Sequence, residues 1–406
     1  MALTDSISRH NFRAFLWHGI FLVLAKHFTD VDTIIPALLI EAGGEALHIG
    51  LLTTIMVGGA GFTQLIFAPY LSNRAYKKGP LLFGINVRIL ALFGLGMLMW
   101  GAGAFSPAWM LWLIILLLAM FSFGGHFAAL SYTDLLGKSI FPEARKTFFS
   151  IREAVSGVGA LLAVYLVSRL LTWWPYPTNY AYMTLTGGLA LLVASLGFWR
   201  LREVGTSGMR ITGLRHYLGL LRTELTGNPR LRFFLGYVNT QGLSLVILPF
   251  IVLYAKENYQ TGAAATGGFL LFKVLGMLIT SVTIFFWSKR VRYRYLLYLN
   301  AVLVALIPLA VLLVQDPVFL KVAFLLGGAA ISLYTITMNG VLLELSGTEN
   351  RVLYASIGSA GNLLPVLLPL GGVGIIHYFG FTFFFGAFLL LMASSVYFVY
   401  RLDCQR

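Results

Sequence analysis

The sequence predicts an all-α integral membrane protein whose twelve transmembrane helices form two pseudo-symmetric six-helix bundles. Three observations carry that expectation. Of 406 residues, 58% are hydrophobic and only 11% are charged, against about 25% charged residues in a soluble domain. Apolar runs of about 20 residues recur from end to end, which suits helices that cross a bilayer and not the shorter strands of a barrel. One long hydrophilic stretch, residues 201–231, divides these runs six and six.

The spans are read at 13–40, 46–71, 81–104, 107–136, 147–171, 181–201, 231–255, 264–287, 295–314, 317–344, 352–377 and 381–400. The polar N-terminus and the length of the first run point to no cleavable signal peptide. Short connections make neighbouring spans antiparallel. The organisation expected is an N-terminal bundle over 1–201, a basic linker over 202–230 with a short surface helix at Leu214–Leu225, and a C-terminal bundle over 231–406. The single cysteine, Cys404, excludes an intrachain disulfide.

The net charge of +14 suggests a nucleic-acid partner until its distribution is read. With an inner N-terminus, 22 of the 29 Lys and Arg fall on inner loops and tails, and only Arg169, Lys256 and Lys321 fall outside. That asymmetry is an orientation signal, which places a multi-pass protein in the inner or plasma membrane with both termini cytoplasmic. No nucleic acid is expected as a partner, and a monomer in the lipid bilayer is.

The halves echo each other, as an internal repeat would. Glu143, Arg145, Ser150 and Ile151 after the fourth span fall at a constant offset on Glu349, Arg351, Ser356 and Ile357 after the tenth. Ser72-Asn73-Arg74 after the second span likewise matches Ser288-Lys289-Arg290 after the eighth.

With these features the chain resembles the major facilitator superfamily over nearly its whole length. The count of twelve, the six-plus-six division and the basic central loop fit that family. The loop Leu71-Ser72-Asn73-Arg74-Ala75-Tyr76-Lys77-Lys78 is similar to its signature between the second and third helices. Leu71, Arg74, Lys77 and Lys78 match in type, while Pro69, Asn73 and Tyr76 replace a glycine, the aspartate and a second glycine. The resemblance implies a secondary transporter working by alternating access around a central cavity.

Within the first span stand Lys26, His27, Asp30 and Asp32. A Lys or Asp at a bilayer centre costs roughly 2.5–3.5 kcal/mol on insertion scales, so such residues are candidates for function. Helical geometry places Lys26 and Asp30 on one face, a turn apart. His27 is about 100° away and Asp32 lies on another side. Pro36 cannot donate to the Asp32 carbonyl, which predicts a kink there. Asp30, or else Asp32, is read as the protonation site, with Lys26 tuning it and His27 and His126 assisting. A Lys26–Asp30 pair that only neutralises two charges is the alternative.

Lys273, the one charge of the eighth span, requires a carboxylate, a water-filled cavity or an anionic substrate. It is read as a substrate contact, with Asn239, Gln241, Asn339, Tyr334 and Asn362 as neutral hydrogen-bonding groups that helix–helix adhesion would equally explain. Arg74, Lys78, Asp134, Arg152 and Glu153 are read as a cytoplasmic gate, with Asp134 partnering Arg152. Arg88 in the third span is read as a structural side chain snorkelling toward headgroups.

No phosphate-binding loop, metalloprotease motif or nucleophile elbow appears at a credible position, so an enzyme is not expected, nor any cofactor or bound metal. The function expected is secondary active transport of a small polar or charged solute, coupled to protons, with sodium an open alternative. Export of amphipathic compounds or lipids, and a non-transporting receptor or scaffold on the same fold, are the competing readings.

Overall fold

The computed structural model describes residues 3–72, 74–204, 214–287, 291–313, 316–346, 358 and 361–402. Among them every regular element is a helix. The first span is α1 (Asp5–Phe28) followed by α2 (Ile34–Glu41). Then come α3 (Ala46–Ser72), α4 (Lys78–Trp100), α5 (Pro107–Ser139), α6 (Pro142–Trp173) and α7 (Thr178–Trp199). The linker carries α8 (Leu214–Gly227). The seventh span is α9 (Pro229–Gln241) and α10 (Ile247–Tyr259), and α11 (Ala263–Trp287), α12 (Tyr293–Leu313) and α13 (Leu320–Ser346) follow. The chain ends in α14 (Leu363–Ala393) and α15 (Ser395–Leu402). The matched loop sequences around Glu349–Ile357 and Ser288–Arg290 lie outside the described residues.

Helix starts follow the sequence. Thr4 caps α1, its Oγ1 accepting from the Ile7 amide. Pro107, Pro142 and Pro229 occupy the first turns of α5, α6 and α9, where a missing N–H costs nothing.

Among the described residues ten stretches are long and apolar enough to cross a membrane. One of these, Leu363–Leu402, is 40 residues, about 60 Å at 1.5 Å per residue and twice a hydrocarbon core. Gly380 divides it, with φ 79° and ψ 176°, a conformation open essentially to glycine alone. A Cβ at Gly372 would stand 2.5 Å from the Phe384 ring. In a straight helix those two residues would be about 18 Å apart, so the chain reverses at Gly380 and the stretch is two spans. The first span, interrupted between α1 and α2, completes twelve.

Packing separates the chain into two compact units, one of residues up to Asp30 with Phe62–Tyr217, the other Val31–Gly61 with Leu218–Arg406. In the first unit α4 lies on α5 and α7, and α1 lies on α7 and α6. Phe15 anchors its core, edge-on to Tyr132, Phe148 and Phe198 at 5.1–6.2 Å. His18 is buried in that core with its ring 4.1 Å from Phe198. In the second unit α13 lies on α11 and α12, α14 on α12, and α2 on α10 and α11. Residues 31–61 are tied in by Thr54, whose hydroxyl donates to the Val366 carbonyl at 2.9 Å.

Glycines set the closest helix approaches. A Cβ at Gly84 of α4 would lie 2.6 Å from the Gly124 carbonyl of α5. One at Gly276 or Gly328 would overlap the backbone carbonyl of Leu325 or Lys273, bringing α11 and α13 into main-chain contact. Gly374, by contrast, has nothing within 4 Å. Gly84→Val and Gly276→Val are therefore expected to cost about 1–3 kcal/mol through overpacking. Gly374→Ala should leave stability unchanged or raise it by up to about 1 kcal/mol. Thermal unfolding of the detergent-purified variants checks this, and equal melting temperatures for all three would contradict the assigned contacts.

Candidate functional site

The first span is not a kinked helix but two helices with an unwound joint. Four polar residues within five positions, Thr29, Asp30, Asp32 and Thr33, cause it. Thr29 turns its hydroxyl onto the Ala25 carbonyl at 2.8 Å, and its amide reaches the same oxygen at 3.2 Å. Its φ of −122° and ψ of 42° end α1 at Phe28. Threonine and aspartate side chains compete in this way with the helix ladder. The chain resumes helical form only at Ile34, after Thr33. Pro36 is the third residue of α2, where its missing N–H is tolerated.

This joint interrupts the shared helical face expected of Lys26 and Asp30. The register that would align Lys26 with Asp30 stops at Phe28. Lys26 is exposed on the last turn of α1, and Asp30 is buried in the joint, outside the helix. His27 is buried, its Nδ1–H donating to the Val23 carbonyl at 2.8 Å.

Asp32, in the same joint, forms an ion pair with Lys273 of α11 inside the second unit. The side chains are 13% and 6% exposed, so both charges are withdrawn from solvent. Of the partners that Lys273 required, the structure supplies a carboxylate. Gly328 of α13 admits the Lys273 main chain, which fixes the height of the ammonium along α11.

The seventh span is interrupted as well. Between α9 and α10 the chain makes a 3-10 turn at Gly242–Leu245, and Pro249 is the third residue of α10, as Pro36 is of α2. The first and seventh spans open the two halves, so the discontinuities occupy equivalent places. Paired interrupted helices of this kind mark binding regions in transporters.

Three of the expected neutral contacts gather at this second joint. Asn239 donates to the Leu235 and Gly361 carbonyls at 2.8 and 2.7 Å and accepts from the Leu364 amide at 2.7 Å, clipping α9 to the start of α14. Gln241 is buried and donates to Ser395 at 2.5 Å. Asn362 places its Oδ1 2.8 Å from the position a Cβ at Gly242 would take, so only glycine fits there. That oxygen and the Gln241 Oε1 are buried without a donor among the described residues. Tyr334 is elsewhere. It stacks on Tyr237, which bonds Thr337 at 2.7 Å, and is a core residue. The Asn339 side chain lies outside the described residues.

The expected gate is rearranged within the first unit. Asp134 does not meet Arg152. It pairs with Lys77 at 3.0 Å and Lys138 at 3.4 Å. Lys138 also pairs with Glu203 at 2.8 Å. Glu203 accepts from the Lys77 and Lys78 amides at 2.5 and 2.8 Å, capping the start of α4. Lys78 reaches the Trp199 and Leu201 carbonyls at 2.8 and 3.0 Å, the unpaired end of α7. Three helix ends are thus fastened by residues of which the sequence reading named two, Lys78 and Asp134. Glu203, one of two acids in the basic stretch after the sixth span, was the available signal for the rest. Arg74 is exposed and bonded to Tyr70. Arg152 rests over Phe149 at 5.1 Å, its stem against Gly19. The Glu153 side chain lies outside the described residues. His126 is half-buried on α5 in the first unit, apart from both joints in sequence and element.

The sequence profile of the Major Facilitator Superfamily matches residues 16–351. The chain belongs to that superfamily. Among solved structures it is similar to a variant of the nucleoside transporter NupG, with a TM-score of 0.68, 14% identity and coverage of 97% of this chain and 98% of that one. It is similar also to the inward-open xylose transporter XylE from E. coli, with a TM-score of 0.67, 13% identity and coverage of 98% and 96%. A D-xylose–proton symporter gives 0.68, 13% identity and coverage of 98% and 97%. At such identities the likeness is one of fold. No curated protein matches the sequence.

Two consequences are measurable. Removing one member of a buried pair leaves an uncompensated charge, at about 3–5 kcal/mol. Asp32→Asn and Lys273→Met should each destabilise this state by that order, and the double variant should recover most of the loss. Additive losses in unfolding temperature would show that the two do not act as a pair. Glu203→Ala leaves the Lys77 and Lys78 amides without their acceptor while Lys138 keeps Asp134, and a loss of about 1–3 kcal/mol is expected. Arg74→Ala, at an exposed site, should stay within about 0.5 kcal/mol.

Proposed function

We propose that this protein is a secondary active transporter that moves a small polar or charged solute across the inner or plasma membrane by alternating access, coupled to protons. Both termini lie in the cytoplasm, as the distribution of Lys and Arg indicates. The bodies that move are the bundles of residues 1–201 and 231–406, joined by the linker 202–230. The observation that carries this reading is the buried Asp32–Lys273 pair at the joint of the first span.

Protonation of Asp32 removes the counter-charge of Lys273 in a place where an unpaired ammonium is costly. The packing of α2 on α11 then loses its electrostatic support, and a state in which Lys273 has another partner gains weight. A proton that binds one state better than the other shifts the balance between them. Asp30, buried in the same joint, is a second carboxylate available to the coupling. The membership of the superfamily supports transport, and neighbours named for nucleosides and D-xylose support a polar solute.

A thermal-shift screen with sugars, nucleosides, carboxylates and short peptides at two pH values identifies the solute class, since ligand binding stabilises the folded state. Uptake of the best hit into proteoliposomes should then respond to an imposed pH gradient, and Asp32→Asn should abolish that response. Uptake indifferent to the gradient removes proton coupling. A hit that binds and is never transported removes the transporter reading itself.

A further inference from the structure

Arg88 stands alone among the buried cations of the first unit. Lys77 and Lys138 each meet a carboxylate. Arg88 meets none among the described residues, and its Nε is sealed from solvent with no hydrogen-bond acceptor. The titratable neighbour within its electrostatic reach is His18 of α1, an imidazole and not an acid. The one favourable contact is the Phe121 ring of α5, 4.4 Å from the guanidinium carbon.

This contact offsets part of what an arginine inside a membrane helix costs, but it gives the guanidinium neither a counter-charge nor a hydrogen-bond acceptor. Snorkelling, the sequence-based expectation, does not make up the difference. Arg88 lies about 15 Å along α4 from Lys78 at 1.5 Å per residue, near the middle of a hydrocarbon layer about 30 Å thick. Its side chain is not extended along α4 toward an interface. It crosses to α5, where a Cβ at Gly125 would be 3.3 Å from Nε and one at Gly124 3.2 Å from Cγ. Two successive glycines open the α5 surface where the guanidinium rests, and the residue as a whole stays partly uncovered.

We infer that Arg88 is a recognition site for an oxyanion, the carboxylate or phosphate group of the transported solute. The inference rests on the transporter reading and narrows its solute class to anions. A guanidinium presents a planar fork that pairs with a carboxylate or phosphate through two parallel hydrogen bonds. Such a group supplies the missing counter-charge. Phe121 and the Gly124–Gly125 surface hold the fork in one plane, so the site is formed before the anion arrives.

The test compares wild type, Arg88→Gln and Arg88→Lys in proteoliposomes and by thermal shift. The probes are succinate and benzoate, inorganic phosphate and glycerol 3-phosphate, with xylose and uridine as neutral solutes. Wild type should be stabilised by, and transport, a member of the carboxylate or the phosphate group, and the two groups separate the sources of the oxyanion. Loss of a charge-assisted contact should weaken that solute at least about ten-fold in Arg88→Gln. Arg88→Lys should weaken it about ten-fold, since a lysine keeps the charge without the fork. Oxyanion KM values within two-fold of wild type in either variant overturn the assignment, and Arg88→Lys decides if Arg88→Gln does not fold. Transport of the neutral solutes alone, unchanged in Arg88→Lys, overturns the assignment and leaves the transporter reading standing. Transport of none of the six overturns both.

Discussion

An ionic group held in a low-dielectric interior needs a partner of opposite sign, and this requirement organises the molecule more than any apolar contact does. Apolar side chains gain nothing from leaving lipid tails for one another, so within a bilayer they do not specify which helix meets which. The charges do. Asp134, Glu203, Lys77 and Lys138 bind the start of α4, the end of α5 and the segment after α7 into one corner. Asp32 and Lys273 fix α2 against α11. Each carboxylate sits at a helix end or joint, where free amides or an absent ladder give it additional partners. Arg88 is the exception, held in mid-helix against a ring and two glycines.

Main-chain proximity is the second constraint. Where Gly276 and Gly328 let α11 and α13 touch backbone to backbone, the crossing is set by carbonyl positions and not by adjustable side chains. Gly84 and Gly124 do the same for α4 and α5. The interrupted helices form the complementary case. At Thr29–Thr33 and at Gly242–Val246 the helical ladder is given up, which within a membrane is sustained only where protein covers the freed groups. Burial of Thr29, Asp30, Thr33, Gly242 and Ser244 is how this chain meets that condition.

The spans were legible in the sequence because bilayer thickness acts directly on composition. The joint in the first span was legible in part. Pro36 announced a departure from regular helix, but the phase relation drawn from Lys26 to Asp30 assumed that the helix ran through Thr29–Thr33. Pairing was not legible. Asp32 and Lys273 are 241 positions apart, and neither periodicity nor local spacing connects them. The same holds for Glu203, whose partners lie 125 and 126 positions away. The seventh-span joint left a signal, Gly242 followed about two turns later by Pro249, but that signal is common in membrane helices that do not break. Asn239 and Gln241 were found as polar residues, yet their partners on α14 and α15 make them fastenings of the fold.

The reversal at Gly380 has a mechanical consequence. A connection of one residue leaves no slack, so the two spans it joins cannot slide past each other or change their separation at that end. They behave as a stiff two-legged beam, with Phe384 seated on Gly372 as its cross-brace. Any force delivered to one leg reaches the other undiminished, and through the aromatic contacts of Tyr254 with Phe381 and Phe385 it reaches α10. Displacement of the seventh span would therefore carry the last two spans with it, making three of the twelve a single lever.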